Sequence, residues 1–421
     1  MIGRKIGIAL VVGAMTFVAV GCGDDDDGGG GGGGGGDNAG KTLTVYSSLP
    51  LQGAQRPQTT DMVKGIQLAL EQAGGKAGDF TVKYESLDDS TAQAGSWTPE
   101  ATQANARKAA QDDGTAVYIG EFNSGASAVS IPVLNEAGVP QISPANTAVG
   151  LTSDEPGAEP GEPDKYYPSG QRTYARIVPK DTIQGAALAT LMQQDGCKKV
   201  FMTNDKEVYG AGLARNIQGA ADNVGLNIVA NEEIDKSAPN YRSLASRAKG
   251  EGIDCFIFSG ITANNAVQLY KDFSAAVPDA KLYGPDGVAE AGFYDPKEGG
   301  IPADVASKVK VTVATLSPDE YPQEGKDFFS SFQEKYNDPH PNPYSIYGYE
   351  AMRLALDAIE RSGTGEKADI IQALFDTKDR QSVLGTYSID ENGDTTLTDY
   401  GVYTIDGGVL KFDETIKAQA Q

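Results

Sequence analysis

Three short stretches carry residue types from which a site for a small charged molecule can be built. In Tyr118-Ile119-Gly120-Glu121-Phe122-Asn123-Ser124-Gly125-Ala126-Ser127 an apolar run exits through small residues into what reads as a helix start. The first N–H groups of a helix have no acceptor within it, so with the Ser124 hydroxyl they suit a carboxylate. Ser124 would serve equally as a plain helix cap. The second stretch, Gln141-Ile142-Ser143-Pro144-Ala145-Asn146-Thr147-Ala148, leaves the Ala145 carbonyl and the Thr147 hydroxyl available on either side of Asn146. It is also an acceptable turn with no ligand. In the third, Tyr283-Gly284-Pro285-Asp286-Gly287-Val288, a carboxylate between Pro and Gly would pair with a cation or act as an ordinary turn residue. Donors for a carboxylate on one side and an acceptor for an ammonium on the other make the charge pattern of an amino acid.

Composition narrows the alternatives. Thirty-five Lys and Arg against 58 Asp and Glu give the 421-residue chain a formal charge of −23, which disfavours nucleic acid as a partner. One His (His340), one Trp (Trp97) and three Cys exclude a multi-His metal centre and a Cys/His zinc cluster, and nothing calls for a cofactor. A Ser-His-Asp triad could use only His340, in the turn-like Asp338-Pro339-His340-Pro341. Gly210-Ala211-Gly212 lacks the third glycine of a nucleotide loop. The inventory leans away from an enzyme.

Strands and helices alternate from Lys41 onward. Leu43–Tyr46, Phe80–Leu87, Ala116–Ile119 and Gln141–Ser143 read as strands, separated by helical periods at Asp61–Ala73, Pro99–Asp112 and Ser124–Ala137. The unit recurs with strands at Tyr174–Val178, Lys199–Thr203, Asn227–Asn231, Asp254–Ser259 and Lys281–Tyr283 and helices between them. The pattern predicts an α/β fold with two doubly wound parallel-sheet lobes. The expected division is 41–176 for the first part of lobe 1, 177–312 for lobe 2, 313–388 for the rest of lobe 1, and 389–421 completing lobe 2 and the hinge. A chain that returns to its first lobe crosses several times, and several crossings make a hinge. Thr152–Gln171, rich in Pro, Gly and acidic residues, reads as a surface excursion.

The ends of the chain add an address. Arg4 and Lys5 precede an apolar run, Ile6–Val20, too short to span a membrane, and Ala19-Val20-Gly21 then offers small residues before Cys22. This resembles a bacterial lipoprotein signal: residues 1–21 would be removed and acyl chains on Cys22 would anchor the chain outside the cytoplasm. The following 22–40, with Asp24–Asp27 and the glycine run Gly28–Gly36, reads as a flexible tether. With Cys22 so used, Cys197 and Cys255 remain, an even number in an oxidising compartment. Each begins an apolar run, and if those runs are neighbouring strands the pair can form a disulfide; the alternative is two separate buried thiols.

Taken together, Ile119-Gly120 with Ser124, Ser143-Pro144-Ala145 with Thr147, Asn204-Asp205-Lys206 with Tyr209-Gly210 and Gly212-Leu213-Ala214, and Gly284-Pro285-Asp286-Gly287-Val288 resemble the solute-binding proteins of ABC transporters for branched-chain amino acids. The likeness covers about Leu43 to Phe412 and implies the type I periplasmic-binding fold with a membrane permease as partner. It further implies that Ser124, Ala145 and Thr147 hold the ligand's α-carboxylate and α-amino group, and that Asp286 salt-bridges the ammonium. Tyr209 and Tyr344 would close over the ligand, with Phe122, Asn123 and Asn146 in the same loops. Asp286 stands where Glu is common, and Leu49-Pro50-Leu51-Gln52-Gly53 replaces a usual Ser/Thr-Gly-Pro. Amides and small aromatic acids are alternative ligands, and a sensory receptor domain is an alternative use of the fold.

Overall fold

The computed structural model describes residues 40–417; the apolar leader, Cys22 and the glycine run lie outside them. The strand–helix alternation resolves into two sheets. The first orders its strands Lys76–Ala77, Phe80–Asp88, Thr42–Leu49, Thr115–Gly120, Gln141–Ser143, Tyr174–Arg176, all parallel except the short Lys76–Ala77 edge. The second runs Ile228–Glu233, Val200–Asn204, Cys255–Ser259, Lys281–Gly284, Val309–Val313, Tyr400–Asp406, Val409–Ile416, with the last two antiparallel. Thr115–Gly120, Val200–Asn204 and Cys255–Ser259 are buried throughout, as strands covered by helices on both faces must be. In both sheets the second strand of the unit pairs outside the first, so winding reverses beside Thr42–Leu49 and beside Val200–Asn204. At such a reversal the loops leaving the strands diverge and open a crevice.

Helix Ser345–Ser362 packs on helix Arg56–Gln72 of the first lobe although nearly 300 residues separate them in sequence. Two glycines make the contact close. A Cβ on Gly65 would lie 2.3 Å from the Ser345 carbonyl oxygen, and one on Gly348 would lie 2.2 Å from that of Met62. The same contact fixes Tyr344, at the start of the later helix, over the first lobe.

The chain passes between the sheets three times: after Arg176, after Val313, and between Asp394 and Tyr400. Arg176 is fully buried and pins two of these passages together. Its Nε donates to Asp394 Oδ1 at 2.7 Å, and its other nitrogens donate to the Ala148 carbonyl at 2.7 Å, the Asn146 carbonyl at 3.3 Å and the Thr152 hydroxyl. Lys180 reaches the second oxygen of Asp394 at 3.3 Å. Burial works against the guanidinium, but the Asp394 charge outweighs it and holds Arg176 protonated at any working pH.

Thr152–Gln171 runs largely over the surface, as its composition predicts, but two tyrosines anchor it. Tyr166 and Tyr167 turn inward and pack with Ile131, Ala148, Leu151 and Tyr174 of the first lobe. The intervening stretch leans on the second lobe: Asn216 Nδ2 donates to the Pro156 carbonyl at 2.6 Å, Arg215 donates to that of Gly157 at 2.8 Å, and Arg215 pairs with Glu159 at 2.6 Å. The Arg215–Glu159 pair is substantially exposed, which limits it to about 1 kcal/mol or less. The buried tyrosines, worth about 1.5–3 kcal/mol each on apolar area, dominate the placement of the segment.

Val200–Asn204 and Cys255–Ser259 are paired neighbours, and Cys197 and Cys255 are bridged with their Cα atoms 5.8 Å apart. The two lie 58 residues apart in sequence, and the chain-entropy relation puts closing a loop of that size at about 4 kcal/mol of stabilisation.

Removing the Arg176 charge leaves Asp394 buried without its main partner. Arg176→Met is expected to lower unfolding free energy by about 3–5 kcal/mol, measured by urea titration; a loss under 1 kcal/mol would show that the passages are held some other way.

Candidate functional site

The crevices of the two sheets face each other across one cavity of about 490 Å³, its mouth included. Phe122, Asn123, Ser124 and Gly125 enter it from the exit of strand Thr115–Gly120, and Ala145 and Thr147 from the exit of strand Gln141–Ser143. The second lobe contributes Glu207 and Tyr209 at the start of helix Val208–Val224, then Ile261, Asp286 and Gly287. Tyr344 closes one side. Eight of the nine ligand-binding candidates therefore line a single cavity. Asn146 does not: it is buried behind the loop, where its amide donates to the Phe122 carbonyl at 2.9 Å and accepts from the Tyr174 and Ser127 hydroxyls. Its place is in bracing the two first-lobe loops against each other.

Each end of the cavity has its own chemistry. Helix Ser124–Glu136 begins at the wall, with Asn123 at the cap position making no side-chain cap bond, so the first N–H groups of Ser124 and Gly125 have no acceptor in the helix. Ser124 is thus the first helical residue rather than its cap, and its hydroxyl accepts from the Ala148 N–H at 3.3 Å, joining the two loops. Gly125 has no room for a side chain: a Cβ there would sit 2.7 Å from the Trp97 ring, which lies over the helix start. Glu207 stands here too, its Oε2 3.5 Å from where a Gly125 Cβ would lie, so this end offers free N–H groups and hydroxyls beside a carboxylate that Lys236 pairs.

At the other end Asp286 is clasped by two phenols. Tyr209 donates to its Oδ1 at 2.5 Å and Tyr344 to its Oδ2 at 2.6 Å. Tyr209 belongs to the second lobe with Asp286; Tyr344 comes from the first, so this bond spans the cleft. Burial raises the Asp286 carboxyl above its ordinary value, and the two phenols, Gln184 and the Gly287 N–H oppose that rise. Both tyrosines are held well above 10 by burial and then by the Asp286 charge, and remain donors. Among the cavity residues the charged side chains are Asp286 and Glu207, and Glu207 is paired with Lys236 at 2.9 Å. No Lys or Arg lines the cavity. Among the described residues no group of three or more His, Cys, Asp and Glu is placed to hold a metal ion.

Sequence reasoning missed Gln58, Trp97, Glu207, Ile261 and the buried Asp181. Trp97 is the chain's one tryptophan and sits in a small hairpin, Ser90–Thr91 with Ser96–Trp97, so its rarity was the available signal. Asp181, at the first position of helix Asp181–Gln194, looks like an ordinary helix-start acid. In the fold it is wholly buried, both carboxyl oxygens lack donors, and burial followed by the Asp286 charge pushes its pKa up.

Close to this helix start lies a second acidic pair. Asp89 and Glu121 are fully buried at the exits of the two strands that flank Thr42–Leu49. Tyr118 donates to Glu121 Oε1 at 2.8 Å, while Glu121 Oε2 and both Asp89 oxygens have no donor. Burial, then the facing Glu121, holds Asp89 well above its ordinary value, and burial lifts Glu121 to about 7. Such a pair retains protons that the unfolded chain has released by about pH 5. Its contribution to stability is therefore complete below the unfolded value and lost as pH rises through 7. The midpoint of thermal unfolding is expected to fall between pH 5.5 and 8.5, with Glu121 accounting for on the order of 2 kcal/mol. Glu121→Gln should flatten the profile, and an unchanged slope in that variant would exclude the pair as its source.

Comparison with known proteins agrees with this architecture. The family model described as Periplasmic binding protein matches residues 44–409. The Leu/Ile/Val-binding protein BraC3 of Rhizobium johnstonii is 26% identical over 375 residues, covering 87% of this chain and 93% of the relative. The crystal structure of the leucine binding protein LivK from Thermotoga maritima superimposes with a TM-score of 0.76 at 22% identity, covering 89% of this chain and 99% of that one. A solute binding protein of an ABC transporter from Rhodopseudomonas palustris, in complex with p-hydroxybenzoic acid, gives a TM-score of 0.74 at 18% identity, covering 90% and 98%. With a match over most of its length, the chain belongs to the periplasmic binding protein family and is a solute-binding protein rather than an enzyme.

Proposed function

We propose that the chain captures a zwitterionic α-amino acid between its lobes and delivers it to an ABC transporter permease. The observation that carries this is the disposition of polar groups: the Asp286 carboxylate stands across one cavity from a helix start bearing Ser124, whose neighbouring carboxylate, Glu207, is paired with Lys236. The ligand's carboxylate would take the free N–H groups and hydroxyls of Ser124 and Thr147. Its ammonium would take Asp286 and the Ala145 carbonyl. A solute that bridges both lobes stabilises the closed arrangement over the open one, and the population shifts accordingly. The permease then meets a shape that exists mainly when solute is bound. The relatives' names, which specify leucine, isoleucine and valine, support an amino-acid ligand.

The Rhodopseudomonas palustris structure with p-hydroxybenzoic acid gives a second reading, an aromatic carboxylic acid. Electrostatics disfavours it here. An anion with no amine would place its charge in a dry cavity beside Asp286, with no Lys or Arg in the wall to compensate. Calorimetry separates the two readings. Asp286→Asn should weaken binding of an amino acid by about 2 kcal/mol or more, roughly thirtyfold. Tight binding of p-hydroxybenzoate, unaffected or improved in that variant, would overturn the amino-acid reading.

The second part of the proposal concerns attachment. Cys22, with the acidic and glycine-rich run after it, would carry acyl chains that hold the binding domain at the outer face of the membrane on a flexible tether. Cells fed labelled palmitate should incorporate label into the wild-type chain and not into Cys22→Ala; equal labelling would rule out Cys22 as the anchor.

A further inference from the structure

Helix Arg56–Gln72 begins with two glutamines one turn apart at the cleft. Gln55, at the cap position, and Gln58 are 0% and 2% exposed. Gln58 forms part of the cavity wall, and its Oε1 has no hydrogen-bond partner; nor has Gln55 Nε2. From the second lobe comes Glu290, 1% exposed, with neither carboxyl oxygen paired. Gln55 and Thr262 are the polar groups nearest its carboxyl, and the Thr262 hydroxyl donates to the carbonyl of the cavity residue Gly287 at 3.3 Å. The three side chains therefore gather at the wall where the two lobes meet. Gln58 faces the solute, with Gln55 and Glu290 behind it.

A buried polar atom without a partner is destabilising. Gln58 Oε1 is such an atom on the cavity wall, while Gln55 and Thr262 are placed to serve Glu290 behind it. A branched aliphatic side chain placed against Gln58 would seal its oxygen in unpaired. A carboxamide can pair with it, since its NH₂ donates to Gln58 Oε1 while its own oxygen accepts from an amide N–H. Burial raises Glu290 to about 8, with Thr262 and Gln55 opposing the rise and Asp286 adding to it. At neutral pH Glu290 is thus a neutral acid that donates as well as accepts, and does not call for a cationic side chain.

We propose that Gln58, backed by Gln55 and Glu290, selects solutes carrying an uncharged carboxamide, so that the amino acid captured bears a side-chain amide rather than a branched aliphatic group of similar size. This rests on the amino-acid reading above and adds the side-chain class to it. The difference between the two solutes is the pairing of polar atoms that cannot reach water, a form of discrimination that commonly exceeds what a methyl group supplies.

The test is calorimetric titration of the purified protein, freed of carried-over solute, with L-asparagine, L-glutamine and L-leucine. At least one amide should bind tenfold or more tighter than leucine. Gln58→Met should reduce that preference at least tenfold, and Glu290→Met, measured independently should Gln58→Met fold poorly, should move it the same way. Leucine binding as tightly as either amide, or a preference unchanged in both variants, overturns the proposal. Leucine binding that Asp286→Asn abolishes would do so while leaving the amino-acid reading in place. If none of the three binds and Asp286→Asn changes nothing, both readings fall.

Discussion

A carboxylate held in the wall between two lobes is the constraint around which this molecule is arranged. Asp286 is half-buried there, where a charge without donors is costly. Two phenols relieve it, one from its own lobe and one from the other. The bond from Tyr344 makes the state of Asp286 dependent on closure: when the lobes part, the carboxylate loses a donor and regains water. On the proposed reading, a cation at Asp286 would do more than bind. It would supply charge compensation that the closed cleft demands, the differential interaction a ligand needs in order to shift a conformational equilibrium.

The rest of the fold serves to keep that carboxylate facing the helix start at Ser124. The glycine contact between helices Arg56–Gln72 and Ser345–Ser362 holds Tyr344 on the first lobe. The buried Arg176–Asp394 pair binds two of the three passages between lobes and, through the Asn146 and Ala148 carbonyls, also shapes the loop that carries Thr147. One residue thus ties the passages between lobes to a wall of the cavity. The segment Thr152–Gln171 joins the same region, anchored in the first lobe by Tyr166 and Tyr167 and resting on Arg215 and Asn216 of the second. Its contacts make the boundary between lobes more than a bare hinge.

An unusual amount of acid gathers near the cavity: Asp89, Glu121, Asp181 and Glu290 are buried, and the half-buried Asp286 lines it. Charged together in so dry a place they would repel strongly, and burial raises the pKa of each. The outcome is a graded set. Glu121 and Glu290, lifted to about 7 and about 8, are at least partly protonated at neutral pH and act as hydrogen-bonding groups, while donors around Asp286 favour its charge. A net charge of −23 on the whole chain says nothing of this difference.

Local sequence determined the strands, the helices and the loops at their ends, because a 3.6-residue period, a short apolar run and a Pro-Asp-Gly turn are written in neighbouring residues. Helices Gln323–Tyr336 and Ser345–Ser362 begin and end where that period does. The same local signals marked Ser124, Thr147 and Asp286 as residues able to bind an amino acid. What they could not express was mutual position. Asn146 looks as available as its neighbours until the fold turns its amide inward, and nothing local marks Tyr166 and Tyr167 as the residues that anchor the surface segment Thr152–Gln171. Gln58, Asp181 and Glu290 carry no local mark at all, and Trp97 carries only its rarity. Their significance arises from burial, and burial is decided by which distant segments pack together.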